Sequence, residues 1–376
     1  MVNHSAIVIG AGIVGIATAR ALAEQGYSVS VFERSERAVG ASIRNFGMVW
    51  PIGQPSGALY DRARRSREIW TDISSLGDIW SDPVGSLHLA YHPDEWQVLV
   101  ELYENFSKEG RNVSLLSPKK LAEKSEAAVL ENLIGGLYSA DELIVDPREA
   151  LSVLPLWLKE KYKVDFHWKK CVSYISDQTA YVGNEEEYEA DLIFICSGAD
   201  LETLYPEEYV KLPLTKCKLQ MMRMTAQPDD WRIGPALCGG LSLVHYKSFE
   251  AASSLPALKK RYDREMADYL DWGIHVMVSQ NAAGELTVGD SHEYAHTHDP
   301  FDNELINKMI LDYLKKFARF KDERIMQTWN GIYPILTNGG TDCFISPDSS
   351  VYIINAVGGA GMTLSFGLAE ELVSGL

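Results

Sequence analysis

Three glycines and one glutamate near the start of the chain have the types and spacing needed to hold a nucleotide. Gly10, Gly12 and Gly15 form the pattern G-x-G-x-x-G, and seventeen residues separate Gly15 from Glu33. In such a motif the first glycine permits a tight turn, the second lets the backbone approach a pyrophosphate, and the third allows close helix–strand packing. The glutamate can accept hydrogen bonds from both ribose hydroxyls and repels a 2′-phosphate. The motif therefore predicts an adenine dinucleotide that is not of the NADP type.

The flanking segments are the elements that such a motif requires. Residues 6–9 form a short apolar run rich in β-branched side chains, which predicts a strand buried in a parallel sheet. A helix is expected over 13–25, ending at Gly26, and a second strand over 28–32. The helix N-terminus offers free N–H groups and the positive end of a dipole to phosphates. We therefore favour a dinucleotide site over a glycine-rich turn without a ligand.

Similar strand–glycine units occur near the middle and at the end of the chain. They are "ADLIFICSGAD" at 190–200 and "VYIINAVGGAGMTLSFGLAEELVSG" at 351–375. Between them, "KLQMMRMTA" and "GIHVMVSQNAAGELTVGDSHEY" predict antiparallel strands, the latter as a hairpin that turns at 281–284. We expect one α/β nucleotide domain, discontinuous in sequence, with a substrate domain inserted twice.

Composition limits the classes of partner. The chain has 376 residues and a formal net charge of −17, without a basic tail, which argues against broad nucleic-acid binding and anionic membrane surfaces. No apolar run approaches the length of a membrane span. The nucleotide motif begins within ten residues of the start, which leaves no room for a cleaved signal peptide. Five scattered cysteines without a C-x-x-C pair predict reduced, mostly buried thiols, so we expect a cytoplasmic protein.

These motifs together resemble the D-amino-acid oxidase superfamily of FAD-dependent oxidoreductases, which includes glycine oxidase and monomeric sarcosine oxidase. The resemblance covers essentially the whole chain. Its carriers are "VIGAGIVG" with Glu33, "GASIRNFGM" at 40–48, "ADLIFICSGA" and the terminal "GGAGMTLSFG". The fuller string "ASIRNFGMVWPIGQPSG" is similar to one subgroup, whose members are proposed to act in aminophosphonate breakdown.

The resemblance implies an α/β fold, α+β overall. A discontinuous Rossmann-like FAD-binding domain would comprise residues 1–80, 140–212 and 328–376. An inserted substrate domain with an antiparallel sheet would comprise residues 81–139 and 213–327.

The resemblance also implies that the cofactor is non-covalent FAD. The sarcosine-oxidase branch attaches its flavin through a cysteine close to the position of Tyr333, where this chain has no cysteine. The residues expected to bind FAD are Gly10, Gly12, Ile13, Val14, Gly15, Glu33, Arg34, Ser42, Arg44, Asn45, Gly47, Val172, Gly198, Gly358, Gly359, Gly361 and Met362.

Each part of this set has an expected place along the cofactor. Glu33 would hold the adenosine ribose, with Arg34 and the backbone of Val172 beside the adenine. Ser42, Arg44 and Asn45 would line the path from the pyrophosphate to the flavin ring. Residues 359–362 would bring a helix N-terminus to the pyrimidine end of the flavin, where N–H groups stabilise the negative charge of the reduced ring. A plain tight turn is the alternative for these C-terminal glycines.

The chain departs from the family at the substrate end. Amino-acid oxidases of this group usually carry an arginine for the substrate carboxylate where "TWNGIYPILT" places Tyr333, so an ordinary α-amino acid is less secure as substrate. Arg44, Lys247 or Arg223 could hold an anion instead. "LVHYKSF" falls where the substrate-facing strands of the family lie, which makes Tyr246 and Lys247 candidate catalytic residues with Tyr333. The alternative for Lys247 is that it points to solvent.

Two further features bear on the chemistry. The sarcosine-oxidase branch uses a lysine to activate oxygen, and the resemblance places Thr287 at that position. Without that lysine, the electron acceptor is left open between oxygen and another molecule. "GDSHEYAHTHD" gathers His292, His296 and His298, which permits a metal site, but we favour a polar connection and expect no metal. His292 alone could hydrogen-bond the substrate or take a proton, and is the fourth catalytic candidate.

The expected enzyme is an FAD-dependent amine oxidase or dehydrogenase. It would oxidise the C–N bond of a small amine, an amino acid, N-alkyl amino acid or aminophosphonate, by hydride transfer to the flavin. The expected partners are the amine and an electron acceptor, with no nucleic acid and no membrane span. The alternatives are a flavin dehydrogenase acting on a hydroxy acid or glycerol phosphate, and a flavin-binding subunit without its own catalysis.

Overall fold

The structure is a computed structural model, which describes residues 4–76, 79–183 and 186–376. The strands are β1 Ser5–Ile9, β2 Ser28–Glu33, β3 Met48–Val49, β4 Ser81–Asp82, β5 Ser86–Ala90, β6 Val113–Leu116, β7 Gly135–Ser139, β8 Leu143–Val145, β9 Asp165–Trp168, β10 Val172–Ser176, β11 Thr179–Val182, β12 Glu186–Glu189, β13 Leu192–Ile195, β14 Leu214–Met224, β15 Ala236–Cys238, β16 Met277–Gln280, β17 Leu286–Gly289, β18 Glu293–Ala295, β19 Ile325–Leu336, β20 Cys343–Asp348 and β21 Val351–Asn355. The α-helices are α1 Ile13–Glu24, α2 Ala58–Leu76, α3 Pro93–Lys108, α4 Pro118–Lys124, α5 Pro147–Tyr162, α6 Pro206–Val210, α7 Leu255–Glu265, α8 Ala267–Asp271, α9 Glu304–Phe317 and α10 Gly361–Ser374. Among the described residues, none of these helices has the length and apolar character needed to cross a membrane.

A six-stranded sheet holds the nucleotide motif at its centre. The strand order is β20-β21-β13-β1-β2-β9, and β1 pairs in parallel with both β2 and β13. Alternate residues of β1 face opposite sides, so Val8 packs in a core with α1, α5 and α10, whereas Ile7 packs in a core with the small sheet of β10–β12. Burial on both faces explains the continuous apolar run and confirms the expected parallel sheet.

A nine-stranded sheet supports the second half of the site. Its order is β18-β14-β17-β16-β15-β5-β7-β6, and β19 pairs with β14. The hairpin of β16 and β17 turns where the sequence predicted, because Gly284 N–H donates to Asn281 O at 3.0 Å. The mixed fold, with a parallel core and a separate largely antiparallel sheet, is as expected.

The division into two domains stays a prediction. Strand β19 crosses the boundary expected at residue 328, since it pairs with β14 from Leu336 back to Ile325. Residues 1–3, 77, 78, 184 and 185 belong to the expected nucleotide-binding segments but lie outside the described residues.

The expected strand at "LVHYKSF" is wrong. The segment forms two short 3₁₀ helices, Gly240–Val244 and Lys247–Ala251, because its backbone bonds within local turns instead of to a neighbouring strand. Phe249 N–H, for example, donates to Tyr246 O at 3.1 Å. The turns bury Leu243 and Phe249 in the core of the nine-stranded sheet and leave Lys247 exposed.

Candidate functional site

Two adjoining cavities lie at the carboxyl edge of the six-stranded sheet. Strands β1, β2, β13 and β21 all end there, which is where open α/β sheets bind ligands. The cavity beside Glu33, here called the groove, has a volume of about 410 Å³. The cavity beside Gly358, here called the pocket, has about 380 Å³. The two are continuous, because both are lined by Gly12, Ala41, Ser42, Arg44, Cys196, Gly198, Tyr333 and Pro334.

The Glu33 carboxylate is fixed at the groove by backbone donors. Its Oε2 accepts from Ala11 N–H and its Oε1 from Ser35 N–H, both at 3.0 Å. The carboxylate is half-buried and stands beside the start of α1. Arg34 also lines the groove and pairs with Asp200 at 2.8 Å, and Val172 lies on the groove wall. The sequence predicted all three of these groove residues, Glu33, Arg34 and Val172.

The glycine motif shapes the junction of the two cavities. Gly10 has a φ of +106°, and a Cβ there would overlap the carbonyl oxygen of Cys196. Gly12 caps α1 without any side-chain hydrogen bond, and a Cβ there would lie 3.1 Å from Ser42 Oγ. That hydroxyl accepts from Ile13 N–H at 2.9 Å. The glycines therefore leave a cradle of backbone at the positive end of the helix dipole, as a pyrophosphate requires.

Two of the expected cofactor-binding glycines lie behind the cavity walls. A Cβ on Gly15 would overlap Gly10 O, and one on Gly47 would overlap Val145 O. Neither residue lines a cavity. The structure therefore gives them a packing position, which the sequence analysis expected for Gly15 and not for Gly47.

The C-terminal glycines form one wall of the pocket. Gly358, Gly359, Gly361 and Met362 all line it. Helix α10 begins at Gly361 with no side-chain cap and no acidic residue in its first turn, so its N–H groups and dipole are open to a ligand. A Cβ on Gly359 would lie 3.2 Å from the Tyr333 hydroxyl, so a larger residue would crowd this wall.

Three of the four catalytic candidates line the pocket and one does not. Tyr246, His292 and Tyr333 are on its wall. Lys247 is not, because it begins a 3₁₀ helix, and its Nζ donates to Gly339 O at 2.6 Å on the exposed side. The expectation that Lys247 faces the substrate is therefore not met.

Of the three cationic side chains considered for an anion, only Arg44 lines the pocket. Its Nη1 also donates to Asn330 O at 3.1 Å. Arg223 is buried elsewhere and pairs with Glu285 at 3.0 Å. Thr287, expected from the resemblance to match an oxygen-activating lysine, accepts from Arg223 at 3.4 Å and is also outside the pocket.

The pocket has a histidine cluster that differs from the one read in the sequence. His296 is exposed, and the His298 ring lies 3.1 Å from Lys216 O, so neither joins His292. Instead His292 lies beside two rings from distant segments. The centroid distances are 3.7 Å for His245–His275, 4.8 Å for His245–His292 and 5.1 Å for His275–His292.

Asp290, which comes from the same segment as His292, completes this cluster. Its carboxylate lies 3.1 Å from His275 Nε2 and 3.8 Å from His292 Nε2. Burial raises the pKa of Asp290 to about 6, so the group is mostly ionised at pH 7. Loss of solvation lowers the pKa of the buried His275, with further lowering from the neighbouring rings, so this imidazole is neutral. The predicted hairpin could have revealed that His275 and Asp290 are neighbours. Its register pairs them, and Asp290 N–H donates to His275 O at 2.9 Å.

The remaining pocket wall is mainly apolar and aromatic. Phe46, Met48 and Trp50 are buried there. Trp50 Nε1 has no hydrogen-bond partner within the described residues. Across the pocket, the Tyr246 hydroxyl donates to the Met277 sulfur at 3.1 Å. Such a wall excludes water and leaves few polar groups to orient a small molecule.

Comparison with known proteins is consistent with this geometry. Residues 5–374 match the family described as FAD dependent oxidoreductase, DAO. Among curated proteins, a tRNA 5-methylaminomethyl-2-thiouridine biosynthesis bifunctional protein from Pseudomonas entomophila is 28% identical over 261 residues, or 62% of this chain. The match spans only 36% of that longer protein.

Solved structures share the fold over nearly the whole chain. Glycine oxidase from Bacillus cereus has a TM-score of 0.79 at 16% identity, covering 99% of this chain and 95% of that one. L-proline dehydrogenase from P. horikoshii has 0.77 at 18%, covering 99% and 92%. Reduced L-α-glycerophosphate oxidase from Mycoplasma pneumoniae, with FAD bound, has 0.72 at 16%, covering 100% and 96%. At these identities the similarity establishes the fold alone.

Proposed function

Because the chain belongs to the DAO family of FAD-dependent oxidoreductases, we propose that it oxidises the C–N bond of a small amine. The candidate substrates are an amino acid, an N-alkyl amino acid or an aminophosphonate. Two of the three similar structures are named for an amino acid, which supports an amine, and the third is named for glycerophosphate. Hydroxy acids and glycerol phosphate are therefore the comparison substrates for any test.

The residues of the groove and the pocket fit FAD. Glu33 would hold the adenosine ribose, and the cradle at Gly10 and Gly12 would hold the pyrophosphate. The start of α10 would meet the pyrimidine end of the flavin. FAD, when bound, supplies the acceptor for the hydride that leaves the carbon bearing the amine.

Non-covalent attachment is the form of the cofactor that we propose. Cys196 lines both cavities, but burial raises the pKa of its thiol to about 12. A neutral thiol is a poor nucleophile, so Cys196 is not activated for bond formation to a flavin.

The pocket would prepare the substrate amine by removing it from water. A protonated amine has no lone pair to support hydride loss from the neighbouring carbon, whereas burial against apolar groups lowers the pKa of an ammonium. Leu219, Met221 and Met277 supply such a wall. Tyr333 and Tyr246 stay neutral, because burial raises the pKa of each hydroxyl well above its ordinary value. They can therefore donate or accept hydrogen bonds to orient the substrate.

The observation that carries this proposal is the continuity of the two cavities. A groove suited to a dinucleotide opens directly into a pocket of about 380 Å³ with a largely apolar wall, a size suited to a flavin ring and a small substrate. Arg44 is the cationic side chain on the described part of that wall, so it is the proposed contact for an acidic group on the substrate.

The first test is an anaerobic titration of the purified yellow protein, followed by its visible absorbance. Glycine, N-methylglycine, 2-aminoethylphosphonate, lactate and glycerol 3-phosphate are added separately. Bleaching by an amine, with release of ammonia or a smaller amine, supports the proposal. Bleaching only by lactate or glycerol phosphate overturns it in favour of alcohol oxidation, and readmitting air shows whether oxygen accepts the electrons.

The chain would act in the cytoplasm with a small-molecule electron acceptor. All five cysteines are free in the structure and four are buried, which supports a reducing compartment. Separation of cell fractions, with detection of the native protein in the membrane-free lysate, tests the location.

A further inference from the structure

We propose that His245, His275 and His292 bind a divalent transition-metal ion of the zinc class in the wall of the pocket. One ring nitrogen from each histidine lies within 4.8 Å of those of the other two. The rings come from three separate segments that only the fold brings together. Imidazole nitrogens are common ligands for zinc, nickel and copper ions.

The surroundings of His292 match those of a metal-bound histidine, which usually hydrogen-bonds an outer carboxylate or carbonyl through its other nitrogen. His292 Nδ1 donates to Gly273 O at 2.9 Å, so Nε2 is the nitrogen left to face a metal. His275 Nε2 lies 3.1 Å from Asp290 Oδ1. His275 Nδ1 is buried with no hydrogen-bond partner among the described residues.

His245 is the ring that can move to complete the metal site. A tetrahedral zinc with bonds of about 2.0–2.1 Å requires nitrogens roughly 3.4 Å apart, so nitrogens that lie up to 4.8 Å apart must approach by up to about 1.4 Å. His245 is exposed within the pocket, and its ring makes no hydrogen bond in the described part of the chain. It can therefore move without breaking a hydrogen bond.

Three protein ligands leave one coordination position open, and all three histidines line the pocket. A bound ion would add positive charge to a wall whose described cationic side chain is Arg44. It could then bind a carboxylate or phosphonate oxygen of the substrate. This last step rests on the proposed function, whereas the metal site itself does not.

The test measures metal binding without turnover. The FAD-loaded protein is freed of metal with a chelator, then titrated with Zn²⁺ by calorimetry and with Co²⁺ by its absorbance at long wavelength. We expect one equivalent bound, with His245→Gln lowering the affinity at least tenfold. His296→Gln removes an exposed histidine outside the cluster and should leave the affinity unchanged.

His245→Gln is the primary variant because His245 is the most exposed of the three histidines, and an unchanged flavin spectrum would show that the fold is intact. His275→Gln is the second variant. Binding of no ion, or equal binding by wild type and His245→Gln, would overturn the metal site. A protein that binds one equivalent yet oxidises no amine would retain the metal site and refute the amine proposal alone.

Discussion

Replacing Glu33 by glutamine should lower both the stability of the FAD-free protein and its affinity for FAD. Each carboxylate oxygen of Glu33 accepts one backbone N–H, from Ala11 and from Ser35, at 3.0 Å. A glutamine side chain has one oxygen and one NH₂ group, so one of the two backbone donors would face another donor. The turn between β1 and α1 would lose a hydrogen bond that holds it against the end of β2.

The expected sizes follow from these contacts. A hydrogen bond to a charged group contributes about 1.5–3 kcal/mol, so the FAD-free Glu33→Gln protein should lose about that free energy of unfolding. The same carboxylate is the proposed acceptor for the ribose hydroxyls. Its neutralisation should weaken FAD binding by roughly 10- to 100-fold.

Urea unfolding of the FAD-free protein and fluorescence titration with FAD measure the two effects separately. Glu36→Gln is the matched control, since Glu36 lies three residues further on and is exposed, with its carboxylate 3.5 Å from Lys169 Nζ. It should change the free energy of unfolding by less than about 0.5 kcal/mol. An FAD affinity within twofold of wild type in Glu33→Gln would refute the ribose assignment, even if stability falls.

Three other substitutions test separate parts of the structure. Glu142 is fully buried and accepts from Ile52 N–H and Ser86 Oγ, and burial raises its pKa from 4.5 to about 7. Wild-type stability should therefore fall as pH rises from 4.5 to above 7, by up to about 3 kcal/mol from this group, and Glu142→Gln should remove that fall in urea titrations at pH 5 and 8. Lys247→Met should leave the KM for an acidic amine within twofold of wild type, since Lys247 bonds Gly339 O outside the pocket; a large increase would return it to the substrate site. Gly47→Ala should lower the free energy of unfolding by at least about 1–3 kcal/mol, because its φ is +74° and the new Cβ meets Val145 O; an unchanged melting temperature would contradict this placement.

The nucleotide half of the site could be predicted because its determinants are local. The β1–α1–β2 unit spans residues 5–33, and its glycines and Glu33 act within that unit. The β16–β17 hairpin was also predictable, since its turn residues and alternation lie in one short stretch. In these segments, local preference and tertiary packing favour the same structure.

The substrate half could be predicted only in part, because it depends on distant contacts. The segment around Tyr246 was expected to be a strand, but burial of Leu243 and Phe249 under local turns determined its shape. His245 and His292 are separated by 46 residues, and no spacing rule links them. Three histidines close together in "GDSHEYAHTHD" gave a stronger pattern than the cluster that the fold assembles.

Tyr333 lies on the wall of both cavities, whereas Asp290 and His292 lie on the wall of the pocket alone. Substitutions at these positions therefore differ in how many binding surfaces they alter. A change at Tyr333 alters the cofactor surface and the substrate surface at once, so a gain for one is tied to a cost for the other. The hairpin that carries Asp290 can change without touching the groove. New substrate preferences in relatives of this chain should therefore arise on that hairpin, with the β19 position at Tyr333 changing more slowly.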